Sequence, residues 1–110
     1  MPGTTIGRGN ILYDYLVAQS ITWAAVNANT TAEQNVTVKG LVAGDYADLY
    51  SQNAAQTTGL TVVNMRCTAN DVLTVQWVNS TAGALTPVAG VYLMNICRAE
   101  SFSNLATSAV

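Results

Sequence analysis

From residue 21 onward the chain is made of short runs rich in β-branched and aromatic residues, cut by Gly, Asn, Asp and Thr about every ten residues. That rhythm predicts strands and leaves no stretch with the three-to-four-residue spacing of an amphipathic helix. The clearest run is 72–78, in which Leu73, Val75 and Trp77 fall on one side and Thr74 and Gln76 on the other. Val72 and Val78 break the polar side. In residues 34–39, Val36 and Val38 share one face while Asn35, Thr37 and Lys39 share the other, the pattern of a half-buried strand. Further strands are expected at 21–26, 46–50, 60–67 and 91–98, and residues 11–17 read as a strand or a short helix, with the strand preferred. Asp45 follows Gly44 and Asp71 follows Asn70, so both carboxylates are expected to close turns.

Six or seven short strands are too many for one open sheet with a single buried face in a domain this small. Two packed sheets solve the burial problem, with Trp23, Leu49, Val62, Leu73, Val75, Trp77 and Leu93 as the inward side chains. The expected fold is therefore all-β: a β-sandwich, jelly-roll-like, formed by residues 11–98 as a single domain. Residues 1–10 hold three glycines, a proline and one strong hydrophobe, Ile6, and are expected to form an extended arm. Residues 99–110 lose the alternation and form a Ser/Ala/Asn tail. No period of 20–50 residues repeats, so a solenoid or propeller is not expected.

Composition narrows the function. Half of the 110 residues are hydrophobic, but only 9% are charged, against about a quarter in an ordinary soluble domain. Four basic and six acidic residues leave no footprint for a phosphate backbone, so direct nucleic-acid binding is not expected. The absence of histidine removes the commonest general base and the commonest metal ligand together. Lys39, the sole lysine, has no context that would activate a nucleophile, and Asp45 and Asp48 are the best remaining candidates for carboxylate chemistry; no catalysis and no cofactor is the expectation. Cys67 and Cys97 are too few for a structural zinc site and read as buried free thiols, with a disulfide between two strands as the alternative. No apolar run reaches the roughly 18 residues of a membrane-spanning helix, and the first ten residues lack a basic start followed by an apolar stretch. The expected site of synthesis is the cytosol. The Asn-x-Ser/Thr triplets at Asn29, Asn35 and Asn79 are no more numerous than chance allows in a chain with ten Asn.

A nearly uncharged surface has little repulsion to keep copies apart, and sheet edges invite strand pairing. Such a chain is suited to being mostly covered. The stretch from residue 35 to 98 resembles small β-sandwich structural proteins of tailed bacteriophages, specifically capsid decoration, or cement, proteins. The resemblance lies in Asn35-Val36-Thr37-Val38-Lys39-Gly40-Leu41, Gly44-Asp45, the run from Ala69 to Thr81, and Pro87-Val88-Ala89-Gly90-Val91-Tyr92. It implies a noncatalytic, jelly-roll-like module bound to the outer surface of a head shell, bridging neighbouring subunits of the major capsid protein. Other copies of the chain, as a dimer or trimer on the shell, are the second expected partner. Contacts are expected at Pro2, Ile6 and Arg8 in the arm and at Phe102 and Leu105 in the tail. The rival expectation is a carbohydrate- or receptor-binding sandwich of a phage tail or fibre, with Trp23, Trp77 and the five tyrosines as a stacking platform. Alternation places Trp77 with Leu73 and Val75, which favours a core role for it, while Tyr46, Tyr50 and Tyr92 are candidates for an interface.

Overall fold

A computed structural model describes residues 11–52 and 54–100, all of them in strands, turns and loops. The expected arm, the expected contacts Pro2, Ile6, Arg8, Phe102 and Leu105, and all of the expected tail except Ala99 and Glu100 lie outside the described residues. The strands are β1 (Ile11–Ile21), β2 (Thr30–Thr37), β3 (Tyr46–Ser51), β4 (Leu60–Ala69), β5 (Val72–Asn79) and β6 (Gly90–Ala99). They form two antiparallel three-stranded sheets, ordered β1-β6-β3 and β2-β5-β4, an arrangement compatible with a β-sandwich. Buried side chains from both sheets join in one core cluster: Leu49, Tyr92, Met94 and Ile96 from the first, Leu60, Leu73, Val75 and Trp77 from the second.

The central strands explain themselves by alternation. On β5, Leu73, Val75, Trp77 and Asn79 point inward, opposite Val36, Gln34, Ala32 and Thr30 of β2. On β6, Tyr92, Met94 and Ile96 are buried. This corrects the expectation for Leu93, which is only half-buried on the opposite face. Residues 91–97 are apolar at nearly every position, so alternation alone could not say which set faced the core. Tyr92 is thereby a core residue, its hydroxyl donating to the Val88 carbonyl at 2.5 Å and accepting from Gln56 at 2.8 Å. That bond satisfies the polar tip of a large buried ring.

Residues 21–26 are not a strand, apart from Ile21 at the end of β1. The segment crosses from one sheet to the other, and only Val26 makes a bridge, to Leu85. The Gln34 side chain supplies what a strand neighbour would have given, accepting from the Ala24 N–H at 2.9 Å and donating to its carbonyl at 2.8 Å. Trp23 and Val26 still turn inward, and Trp23 meets Trp77 and Tyr92 edge to face at 5.1 and 5.6 Å.

Two loops are pinned by polar side chains, one buried and one exposed. Asn79 donates to the carbonyls of Val26 and Gly83 and accepts from the backbone and hydroxyl of Thr81, all within 3.0 Å, which holds the connection to β6 against the crossing segment. Its amide is 1% exposed, so the Asn79 triplet is a structural plug and no glycan acceptor. Gly59 adopts φ +95°, and a Cβ there would run into the Thr81 side chain. Between β4 and β5 the turn Asn70-Asp71 closes with Asp71 in the left-handed region, and its carboxylate accepts from the Gly40 N–H at 2.9 Å.

Candidate interaction surface

The β1-β6-β3 sheet places one side-chain set in the core and the other outward. Register puts the outward set in rows: Ser20 beside Val91; Ala18, Leu93 and Tyr50; Leu16, Asn95 and Asp48; Asp14, Cys97 and Tyr46. Leu16 is 67% exposed, Tyr46 62% and Tyr50 52%, and Val91 is exposed as well. The face is thus apolar with two carboxylates, Asp14 and Asp48, on its outer strands and no basic side chain in any of its rows. By strand geometry the two carboxylates stand roughly 12 Å apart.

Strand β1 adds a second feature. Among the described residues nine large hydrophobics are exposed, and five of them are Ile11, Leu12, Tyr13, Tyr15 and Leu16. The cause is where the core ends. Tyr15 lies beside Ile96, but Tyr13 lies beside Arg98, where the inner face of β6 turns from apolar to charged. Arg98 grips the buried Asp45 with two nitrogens, each at 2.9 Å, donates to the Gly40 carbonyl at 2.8 Å, and stands 5.5 Å from the centre of the Tyr13 ring. Asp45 therefore closes its turn, as expected, accepting from Val42 N–H at 3.0 Å, and also holds an ion pair to a residue 53 positions away. Burial pushes the Asp45 carboxyl up, but the Arg98 hydrogen bonds, the Val42 N–H and the arginine charge together hold it below its usual value. The same hydrogen bonds raise the Arg98 pKa.

Ile11 pairs with Ala99, so the start of β1 and the end of β6 lie side by side at this end of the sheet.

The remaining candidates carry little chemistry. Cys67 and Cys97 are free. Burial, reinforced by the Asp45 charge, pushes the Cys67 thiol up to about 11, and burial and the neighbouring Asp14, which accepts from its sulfur at 3.4 Å, raise Cys97 too. Neither is a thiolate near neutral pH. Among the described residues no cluster of three or more metal-ligating side chains occurs. Asp45 is committed to Arg98, while Asp48, in the middle of β3, accepts from the N–H of its neighbour Leu49 at 3.0 Å. Trp23 and Trp77 are both buried, which withdraws the indoles from any sugar-stacking platform and leaves Tyr13, Tyr15, Tyr46 and Tyr50 as the exposed rings. A cleft of about 290 Å³ between β3 and β4 is lined mostly by apolar atoms, with Gln56 and Ser51 among its polar edges. No family model matches the chain, and neither curated proteins nor solved structures give a match. Of the face on β1, β6 and β3, the sequence singled out Tyr46 and Tyr50 as interface candidates, while Tyr92, named with them, is in the core; Leu16 and Leu93 were not foreseen there, and the Arg98–Asp45 pair had no local signal at all.

Proposed function

We propose that this chain is a noncatalytic decoration, or cement, protein that binds the outside of a phage-type head shell and stabilises it by bridging neighbouring subunits of the major capsid protein. The observation that carries the reading is the outward face of the β1-β6-β3 sheet. Leu16, Leu93, Tyr46 and Tyr50 offer a sheet-wide apolar surface, and apolar area is worth about 25 cal/mol per Å² once covered. Asp14 and Asp48 favour a partner surface that brings guanidinium or ammonium groups to an apolar seam. The strand order supports a reduced jelly roll: every connection except β4–β5 passes from one sheet to the other, as in the Greek-key winding of that fold. On the same proposal the arm and tail drape over a neighbour and add contacts through Ile6, Arg8, Phe102 and Leu105. Repeated weak contacts then sum to a firm hold, because each subunit engaged makes the next attachment intramolecular.

The test is cosedimentation of the purified chain with head shells lacking it. Saturable occupancy is expected, with at least a tenfold weaker hold for the Tyr46→Lys/Tyr50→Lys double variant. Deleting residues 1–10 or 101–110 should also lower occupancy while the domain stays folded. Absence of binding to any shell would overturn the reading, and saturable binding of a glycan with quenching of tyrosine fluorescence would put a receptor-binding module in its place.

A further inference from the structure

Four strand edges bound the two sheets, and they are not alike. β3 is six residues long and carries Asp48. β4 is broken by irregularities at Val62/Asn64 and Arg66/Ala69. β2 is tied to the crossing segment through Gln34 and carries Glu33. Short length, bulges, charge and cover are the means by which sheet edges are kept from pairing. β1 has almost none of them: it runs in unbroken register from Tyr13 to Ile21, with Asp14 its single charge. Among the described residues β6 is its one strand neighbour.

We infer that β1 is a self-association edge, on which a second copy of the chain pairs its own β1 antiparallel about a two-fold axis, joining two three-stranded sheets into one of six strands. The occupant is argued from area and from self-complementarity. Ile11, Leu12, Tyr13, Tyr15 and Leu16 are exposed on both faces of the sheet, and their uncovered surface amounts to roughly 450 Å² per copy, taking about 150–250 Å² for a fully exposed large side chain. Covering it in both copies removes about 900 Å² from water, near the lower bound of about 1,000–1,200 Å² for a specific interface, and the paired backbones with Val17 and Ala18 supply the remainder. A two-fold interface requires one patch to complement itself. An apolar strand exposed on both faces does so, because each copy extends over its partner the side chains that its own domain leaves bare. Like charges placed opposite each other across strands are destabilising, so the axis passes near Tyr15, which sets Asp14 opposite Leu16 of the other copy and not opposite itself. The inference does not depend on what the molecule decorates.

The experiment is sedimentation equilibrium of the full chain over roughly 1–100 μM. A dimer is expected, together with slow hydrogen exchange of β1 amides that speeds up on dilution. Leu12→Lys/Leu16→Lys should weaken the dimer by at least about tenfold, since lysine on an edge opposes pairing, whereas Val63→Lys, an exposed position on β4, should leave it unchanged. A monomer throughout, or a dimer indifferent to Leu12→Lys/Leu16→Lys, would overturn the inference. So would a monomer whose β1 amides lose protection when residues 1–10 or 101–110 are deleted, which would give the edge to the chain's own segment. Tyr46→Lys/Tyr50→Lys should leave the dimer intact while weakening shell binding, so the two readings fail separately.

Discussion

On the outside of the β2-β5-β4 sheet, side chains satisfy one another; on the outside of β1-β6-β3, they have almost nothing to satisfy. The first carries a ladder across three strands, in which Thr74 donates to Asn35 at 2.8 Å and meets Thr68 at 3.1 Å. Arg66 reaches across the central strand to both oxygens of Glu33, the shortest contact being 2.8 Å. Among the described residues the second has one weak bond between side chains, Cys97 to Asp14, among Leu16, Leu93, Tyr46 and Tyr50. Both sheets face the same core with the same alternation, so folding does not require this difference. A face finished for water and a face left apolar differ in what is meant to touch them, and scattered exposed hydrophobics would need no such account.

The ion pairs show the same contrast, and breaking them gives the largest predicted effect. Arg98–Asp45 is largely shielded, with the carboxylate side chain fully buried, while both partners of Arg66–Glu33 are more than a third exposed. Asp45→Ala strands Arg98 and frees the 42–45 turn, and should cost about 3 kcal/mol in urea or thermal unfolding. Glu33→Ala should cost less than about 1 kcal/mol. The Asp45 pKa is held below its usual 3.8, so its contribution to stability is present above that value and is lost as pH falls through the folded-state pKa. An acid titration of the melting temperature should therefore show a step below about pH 4 in the wild type that is missing in Asp45→Ala. Equal losses from Asp45→Ala and Glu33→Ala would break the contrast between the two pairs.

The next effect sharpens the finished face. Thr74 is buried although it lies on the outer side of β5, because the ladder closes over it. Thr74→Val keeps the shape and removes both side-chain bonds, leaving Asn35 and Thr68 with access to water; a loss of about 1 kcal/mol in denaturant unfolding is expected. A neutral or stabilising result would mean that the ladder is ornament on a strand held by packing alone.

These residues also show what a reader of the chain can and cannot infer. The strands at 34–39, 46–50, 60–67, 72–78 and 91–98 were legible because apolar and polar positions alternate or because turn residues fence them, and each overlaps an observed strand. The run at 21–26 misled because buried crossing segments are as apolar as strands, and only the Gln34 side chain, ten residues on, identifies it as a crossing. Leu93 and Tyr92 could not be sorted because β6 is apolar on both sides. That failure is informative: a strand that alternation cannot orient is one whose solvent side is as apolar as its core side. The Asp45–Arg98 lock and the bare half of β1 depend on which strands become neighbours, and long-range pairing leaves no local trace.

The smallest expected effect separates the apolar face from the fold itself. Leu16 is two-thirds exposed and lies on the outer side of an edge strand, so its methyl groups lose little water when the monomer folds. Leu16→Ser should change monomer stability by no more than about 0.5 kcal/mol, measured by chemical unfolding at a concentration low enough to keep the chain monomeric. A clear destabilisation would mean that Leu16 packs against something within its own chain, and the face would then be an incompletely covered part of the core. A near-zero change, beside a measurable loss of association, would mean that leucine at this position serves contacts between molecules, since the folded monomer draws almost nothing from it.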